Sequence, residues 1–171
     1  LSYHLDGARL YNALVAKKQS AEFYGQNFDS ISICLSKGLG CPVGSLLLGN
    51  SDFIREAKRI RKRFGGGMRQ AGYLAAAGIY ALENNIDRLE EDHQKAQEIK
   101  TALENLHWVD SIQTVETNII IFQLIESSKT DSFVNLMKSK GVLLIKMGSN
   151  KIRIVTHLDV SAAKTTEFIQ I

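Results

Sequence analysis

The sequence predicts an α/β protein that ends in a small α+β unit. In the first part of the chain, apolar runs of strand length alternate with helical patterns. A long amphipathic helix follows, with apolar residues every three or four positions from Ile86 to Leu106. After it, the predicted elements have the order β-α-β-β-α, which is typical of a compact α+β unit. We therefore expect two domains, residues 1–90 and 91–171.

The individual elements follow from the spacing of apolar residues. The first part contains predicted strands at residues 1–6, 28–34 and 43–48 and helices at 8–16, 51–64 and 71–82. The second and third of these strands are predicted to be buried, and Ser51 is the predicted N-cap of the second helix. The second part contains predicted strands at 118–124, 142–145 and 152–155 and helices at 132–140 and 161–169.

The composition is that of a packed globular protein. Of its 171 residues, 44% are hydrophobic and 23% are charged, proportions unlike those of disordered or collagen-like chains. No apolar run approaches the roughly 18 residues of a membrane span, and the first residues lack the features of a secretory signal. Cys34 and Cys41 have no His or Cys at metal-ligand spacing, and the net charge is only +3. We expect a soluble, cytoplasmic protein with no metal site, membrane or nucleic-acid partner.

A lysine stands where one apolar strand is predicted to end. Lys37 is followed by Gly38 and Gly40, and α/β proteins bind ligands outside the carboxyl ends of their strands. The alternative is an ordinary surface lysine in a turn, because strand-ending Ser/Lys/Gly loops are common. This feature alone favours the surface lysine.

An acid and an arginine stand at the end of the first predicted strand. Asp6 is the last strand residue and Arg9 lies in the first turn of the following helix. Taken alone, Asp6 is more simply interpreted as a helix N-cap. Together with Lys37, however, these residues match the needs of pyridoxal phosphate: an amine for a Schiff base, a carboxylate for the pyridine nitrogen, and cations for the anionic oxygens.

Four blocks of sequence resemble the signature blocks of the low-specificity L-threonine aldolases, which are pyridoxal phosphate enzymes of the aspartate-aminotransferase type. The blocks are HLDGARL, SISICLSKGLG, PVGS and FGGGMRQAG, at residues 4–10, 30–40, 42–45 and 64–72. The segment RIVTHLD at residues 153–159 resembles the family's carboxyl-terminal block. The resemblance thus covers essentially the whole chain, and it implies the later part of a large-domain sheet followed by a small α+β domain.

The resemblance also implies roles for individual residues. Lys37 would be the catalytic Schiff-base lysine, and Asp6 the partner of the pyridine nitrogen. Arg9 would lie close to both cofactor and substrate, and Arg153 would bind the substrate carboxylate. Arg69, with Lys62 nearby, would reach the cofactor phosphate of a neighbouring subunit in a homo-oligomer, either a dimer or a tetramer.

The pattern around Arg153 agrees with its implied role. Arg153 alternates with Ile152 and Ile154 on a predicted strand, so its guanidinium points away from their packed side, and a planar fork suits bidentate capture of a carboxylate. A solvated edge-strand arginine is the alternative. The basic run at residues 58–63 is more simply a helix end that complements the macrodipole than a nucleic-acid patch. His93 lies on an apolar stripe and is predicted to be a packing residue.

The activity implied by the resemblance is cleavage of L-threonine or L-allo-threonine to glycine and acetaldehyde. Rival interpretations are another enzyme of the same superfamily, such as a serine hydroxymethyltransferase, an aminotransferase or a β-eliminating lyase, and a non-catalytic segment that acts only in assembly. In this family the phosphate-binding turn and the ring-stacking histidine come earlier than the residue that matches Leu1. The chain also lacks an initiator Met. We therefore expect an amino-terminal half to precede it, and the 171 residues to be inactive alone.

Overall fold

The computed structural model describes all residues from Leu1 to Ile171, and the chain divides into two compact units. The first unit is Leu1–Leu89 and the second is Glu90–Ile171. None of the helices combines the length and the apolar character that a membrane span requires.

The first unit is a three-stranded sheet with helices. Its elements are β1 (His4–Gly7), α1 (Leu10–Lys17), α2 (Ala21–Asn27), β2 (Ser30–Cys34), β3 (Ser45–Gly49), α3 (Ser51–Arg63) and α4 (Gly72–Asn84). The strand order is β1-β2-β3, with β1 parallel and β3 antiparallel to β2. Leu10 and Leu14 of α1 pack on Ile31 and Ile33 of β2, so the helix covers one face of the sheet.

The prediction that β3 is buried is wrong. All five residues of β3 are exposed, including three consecutive leucines that are 36%, 41% and 43% exposed: Leu46, Leu47 and Leu48. One edge of β3 pairs with β2, and no strand of the sheet lies beyond its other edge. The strand is therefore apolar on both faces yet is not covered on either, whereas Ile31 and Ile33 of β2 are buried as predicted.

Two local predictions in the first unit also need correction. The N-cap of α3 is Asn50, not Ser51, because the Asn50 side chain accepts a hydrogen bond from the Phe53 amide at 2.9 Å. Helix α2 was not predicted from the sequence; it begins after Ser20, whose hydroxyl accepts from the Phe23 amide, and it buries no residue. An unburied helix leaves no apolar period to detect.

The second unit is an antiparallel sheet covered on one face by helices. Its elements are α5 (Leu89–Glu104, beginning at the last residue of the first unit), β4 (Val109–Ile112), β5 (Ile119–Leu124), a 3₁₀ turn (Ser127–Lys129), α6 (Thr130–Ser139), β6 (Ile145–Met147), β7 (Lys151–Val155) and α7 (Ala162–Gln170). The strand order is β4-β5-β7-β6. Strand β4 was not predicted, and β6 begins at the last residue of the strand predicted at 142–145.

The core of the second unit lies between this sheet and α5. Alternate residues of β5 and β7 are buried, and they form one cluster with the apolar stripe of α5: Ile120, Phe122, Ile152, Ile154, Ala96, Ile99 and Leu103. Two buried hydrogen bonds also join these elements. The Thr156 hydroxyl donates to the Asp92 carbonyl oxygen at 2.6 Å, and Asn118 Nδ2 donates to the Thr156 carbonyl oxygen at 2.7 Å. The end of β7 is thereby tied to the first turns of α5.

Candidate active site

The candidate site in the first unit begins with the parallel pair β1 and β2. Asp6 is level with Ser32 in the register of the two strands. Leu5, Ile31 and Ile33 belong to the cluster under α1, so Asp6 and Ser32 lie on the opposite face of the sheet, because side chains alternate along a strand. The carboxyl ends of parallel strands meet at one edge, and Asp6 is the next-to-last residue of β1.

Gly7 allows the close approach that fixes the end of β1. A Cβ at this position would lie 2.8 Å from the Ser32 carbonyl oxygen and 3.2 Å from the Leu10 Cβ. Any side chain here would push β1 away from β2 or from α1. The neighbouring Asp6 carboxylate is exposed, and its Oδ1 accepts a hydrogen bond from the Ala8 amide at 3.3 Å.

The alternative interpretation of Asp6 as the N-cap of α1 is wrong. Helix α1 begins at Leu10, Arg9 occupies the N-cap position, and no side chain caps the helix there. The carboxylate is therefore displayed beside the sheet edge instead of being used to cap a helix.

Lys37 lies in a loop that follows β2. Leu35 and Leu39 are buried on either side of it, whereas the Lys37 side chain is exposed. The loop is closed by backbone hydrogen bonds from the Gly40 amide to the Lys37 carbonyl oxygen at 2.9 Å and from the Cys41 amide to the Leu35 carbonyl oxygen at 3.1 Å. A fixed backbone thus presents a primary amine just beyond the carboxyl end of β2, the strand next to β1.

Two asparagines that carry no sequence motif contact this loop. Asn85 Nδ2 donates to the Leu39 carbonyl oxygen at 2.8 Å. Asn12 is buried in α1, and its Oδ1 lies 3.0 Å from where a Cβ of Gly38 would be. The sequence offered one sign that Asn12 is buried: it is a polar residue that lies between the apolar positions Leu10 and Leu14. Nothing in the local sequence signals the Asn85 contact, which spans 46 positions.

Three other cations are predicted for the site in the first unit, and none of them is fully buried. Arg9 is half-buried at the start of α1. Lys62 is exposed in the last turn of α3, as predicted for a helix end rich in cations. Arg69 is exposed in the segment between α3 and α4 and precedes Gln70, which has a φ of 50°.

Arg153 lies in the second unit, at the middle of β7. It pairs with Ile121 on β5 and Ile145 on β6. Its neighbours Ile152 and Ile154 point into the core, so Arg153 lies on the other face of the sheet, as predicted from the alternation. Its Nε is buried and has no hydrogen-bond partner. A buried guanidinium nitrogen without an acceptor is costly, and an anion bound to this face would satisfy it.

His93 and the cysteines take no part in this arrangement. His93 is buried on α5, as predicted for a packing residue, and burial lowers the pKa of its imidazole, partly opposed by the charges of Glu90 and Asp92. Cys41 is buried and its thiol pKa is raised by burial, whereas Cys34 is half-buried. The buried Cys41 thiol therefore lacks the exposed, low-pKa environment of a reactive thiol.

The donor chemistry of the first unit fits an aldehyde cofactor with a basic ring nitrogen. Such a cofactor needs an accessible amine for its aldehyde and a carboxylate for its nitrogen. Lys37 and Asp6 are both exposed. Asp6 lies near the end of β1, and Lys37 follows β2, the parallel strand next to it. An exposed amine and an exposed carboxylate therefore lie near the carboxyl ends of two adjacent parallel strands of an α/β chain.

Comparison with known proteins places the chain in a family. The model of a family described as Beta-eliminating lyase matches residues 1–127, and the chain belongs to that family. It is 46% identical over 167 residues to the low specificity L-threonine aldolase of Escherichia coli K12 and 39% identical over 163 residues to the low-specificity L-threonine aldolase 1 of Arabidopsis thaliana. These matches confirm the predicted resemblance.

The chain spans about half the length of these relatives. The match includes 98% of the chain and 49% of the E. coli protein, and 94% of the chain and 46% of the Arabidopsis protein. Among solved structures, a candidate L-allo-threonine aldolase from Listeria monocytogenes matches with a TM-score of 0.79 and 25% identity, over 99% of this chain and 50% of that one.

A more distant structure shows the fold alone. The ornithine aminotransferase of Toxoplasma gondii, crystallised with partial occupancy of PLP at its active site, matches with a TM-score of 0.65 and 16% identity, over 98% of this chain and 42% of that one. The predicted α/β fold class is therefore confirmed.

Proposed function

We propose that the protein containing this chain is a pyridoxal phosphate-dependent aldolase that cleaves L-threonine and L-allo-threonine to glycine and acetaldehyde. The observation that carries the proposal is the exposed amine of Lys37 beyond β2, next to the strand that displays Asp6. The names of its relatives support the same reaction. In this proposal residues 1–90 are the later part of the cofactor-binding domain and residues 91–171 are the small domain.

In the first unit, Lys37 and Asp6 would hold the cofactor. The Lys37 amine would be the group that meets its aldehyde, and the Asp6 carboxylate would be the partner of its pyridine nitrogen. When bound in this way, pyridoxal phosphate withdraws electrons from the bonds at Cα of an amino acid. The side chains of Lys37 and Asp6 are both exposed, so no buried group has to rearrange for them to reach a ligand.

The arginines bind anionic groups. Arg153 has a buried Nε without an acceptor, and a substrate carboxylate would supply two acceptor oxygens to its planar fork. A carboxylate that accepts two hydrogen bonds from one guanidinium has a fixed orientation. Arg153 would thereby determine which bond to Cα breaks. Arg9, at the start of α1, would bind an anionic group of the cofactor or substrate. Arg69, with Lys62 nearby, would bind the cofactor phosphate of a neighbouring subunit in a homo-oligomer.

Product analysis tests this function. The full-length natural polypeptide, purified with pyridoxal phosphate, should release acetaldehyde and glycine in equal amounts from L-threonine. Lys37→Ala should lower kcat/KM by about 10³-fold or more, as loss of a covalent catalytic group does in other enzymes. Lys58→Ala, which removes an exposed lysine of α3, is the matched control and should keep full activity. Release of a keto acid without acetaldehyde would contradict the proposal and favour a β-eliminating lyase or an aminotransferase.

A further inference from the structure

The loop that carries Lys37 has a buried backbone oxygen that its own turn does not satisfy. Its backbone hydrogen bonds use the carbonyl oxygens of Lys37 and Leu35 as acceptors. Leu39 is only 3% exposed, so its carbonyl oxygen needs a partner from elsewhere in the protein. Asn85 provides it, donating from Nδ2 at 2.8 Å.

Asn85 is itself held in place by helix α4. It is the C-cap residue of α4, and its backbone amide donates to the Ala81 carbonyl oxygen at 2.9 Å. Ala81 is buried in one cluster with Leu35, Leu39 and Leu89. The donor that reaches the loop is therefore attached to the same core that buries the two leucines flanking Lys37.

Asn12 contacts the loop at the residue after Lys37. Its Oδ1 and Nδ2 lie 3.0 and 3.5 Å from the position that a Cβ of Gly38 would occupy, and Leu89 Cδ2 lies 3.0 Å from the same point. Asn12 is 3% exposed and belongs to α1. Gly38 is thus enclosed by an amide and a leucine, while Leu39 is held through its carbonyl oxygen.

We propose that Asn85 is a positioning residue for Lys37. The proposal rests on the proposed function, since it assigns Lys37 as the cofactor-binding amine. The lysine side chain is long, exposed and flexible, so the backbone beneath it determines how often the amine meets the aldehyde carbon. Ordering that backbone raises the effective concentration of the amine at the cofactor.

The test compares Asn85→Ala and Asn85→Asp with the matched control Asn84→Ala in the full-length protein. Asn84 adjoins Asn85, but its Nδ2 donates to the Tyr80 carbonyl oxygen on the exposed side of α4. Asn85→Asp keeps the shape of the side chain and removes the amide donor. It also keeps the proposal testable if Asn85→Ala does not fold.

Two measurements separate positioning from general stability. The first is hydrogen exchange of the backbone amides at residues 36–41. The second is the dissociation constant of pyridoxal phosphate, titrated by the visible absorbance of the lysine-bound cofactor and checked by borohydride trapping at Lys37. We expect both Asn85 variants to exchange these amides about tenfold faster and to bind the cofactor about tenfold more weakly, which corresponds to the loss of one hydrogen bond to a buried oxygen. Asn84→Ala should match the wild type in both.

The outcomes distinguish this proposal from the function on which it rests. Wild-type exchange rates and cofactor affinity in both Asn85 variants would overturn the positioning role and leave the proposed function intact. Wild-type behaviour of Asn85→Asp alone would show that shape and not the donor matters, which also overturns it. Trapping of the cofactor at a lysine other than Lys37 in the wild-type protein would overturn the proposed function, and the positioning role with it.

Discussion

The two units bury their sheets in different ways. In the second unit, alternate residues of β5 and β7 form a core with α5, and both strands are central in a four-stranded antiparallel sheet. In the first unit, β3 is apolar on both faces and exposed on both, and α3 buries no residue. Strands that are apolar on both faces are typical of sheets covered on both sides. The second unit therefore covers one face of its sheet with its own helix, whereas the first unit leaves both faces of its edge strand β3 exposed.

The largest expected effect of this difference is on the folding of the separate units. Residues 90–171, expressed alone, should unfold in one cooperative transition in urea, measured by the fluorescence of Trp108, the one tryptophan of the chain. Residues 1–89 should aggregate or bind a hydrophobic dye, because an exposed apolar edge strand favours association. Cooperative, monomeric unfolding of residues 1–89 would contradict the comparison.

Two large-to-small substitutions, one buried and one exposed, sharpen the comparison within the 171-residue chain. Phe122→Ala should lower the free energy of unfolding by about 3–5 kcal/mol, because Phe122 is 1% exposed in the core of the second unit. Leu47→Ala in β3 should cost less than about 1 kcal/mol, since this leucine is already 41% exposed. Urea unfolding followed by circular dichroism measures both. Equal costs would show that β3 is as well packed as β5.

The smallest expected effect is the pH dependence that His93 gives to the second unit. Burial lowers the pKa of His93 below its ordinary value of 6.5, so the unfolded chain binds a proton at a higher pH than the folded one. The contribution of His93 to the free energy of unfolding is therefore fully present above about pH 6.5. It decreases as the pH falls from there toward the pKa of His93 in the folded protein. In the wild-type protein the urea midpoint of unfolding should decrease as the pH falls across this range. In His93→Gln this decrease with pH should be smaller. The same substitution at the exposed His107 is the control, and an unchanged decrease in His93→Gln would contradict the assignment.

The same contrast explains which elements could be predicted from the sequence. Strands β5 and β7 have a buried alternating face, and α5 has a stripe of apolar residues, so local patterns suffice. Strand β4 was missed because Asp110 and Ser111 interrupt its apolar pattern and its register with β5 is irregular. The exposure of β3 was not predictable, since three consecutive leucines indicate a strand that is buried on both faces.

Some features of the candidate site could likewise be predicted from the sequence, and others could not. The positions of Lys37 and Asp6 near strand ends could be predicted from the apolar pattern, whereas their roles were implied only by the family resemblance and stay predictions. The unsatisfied nitrogen of Arg153 required the packed structure, although its place on the strand followed from alternation. The bond from Asn85 to Leu39 could not be predicted, because the packing of α4 alone brings these distant residues together.

The enclosed space at Gly7 also constrains how this protein can change. Because a single methyl group there would meet the Ser32 carbonyl oxygen at 2.8 Å, while one at Gly25 would meet nothing within 4 Å, the two glycines should tolerate random mutation very differently. In a library selected for retained activity, codon 25 should diversify freely and codon 7 should remain invariant. Efforts to engineer new substrates therefore have to leave the Asp6–Gly7 corner intact and draw their variation from elsewhere.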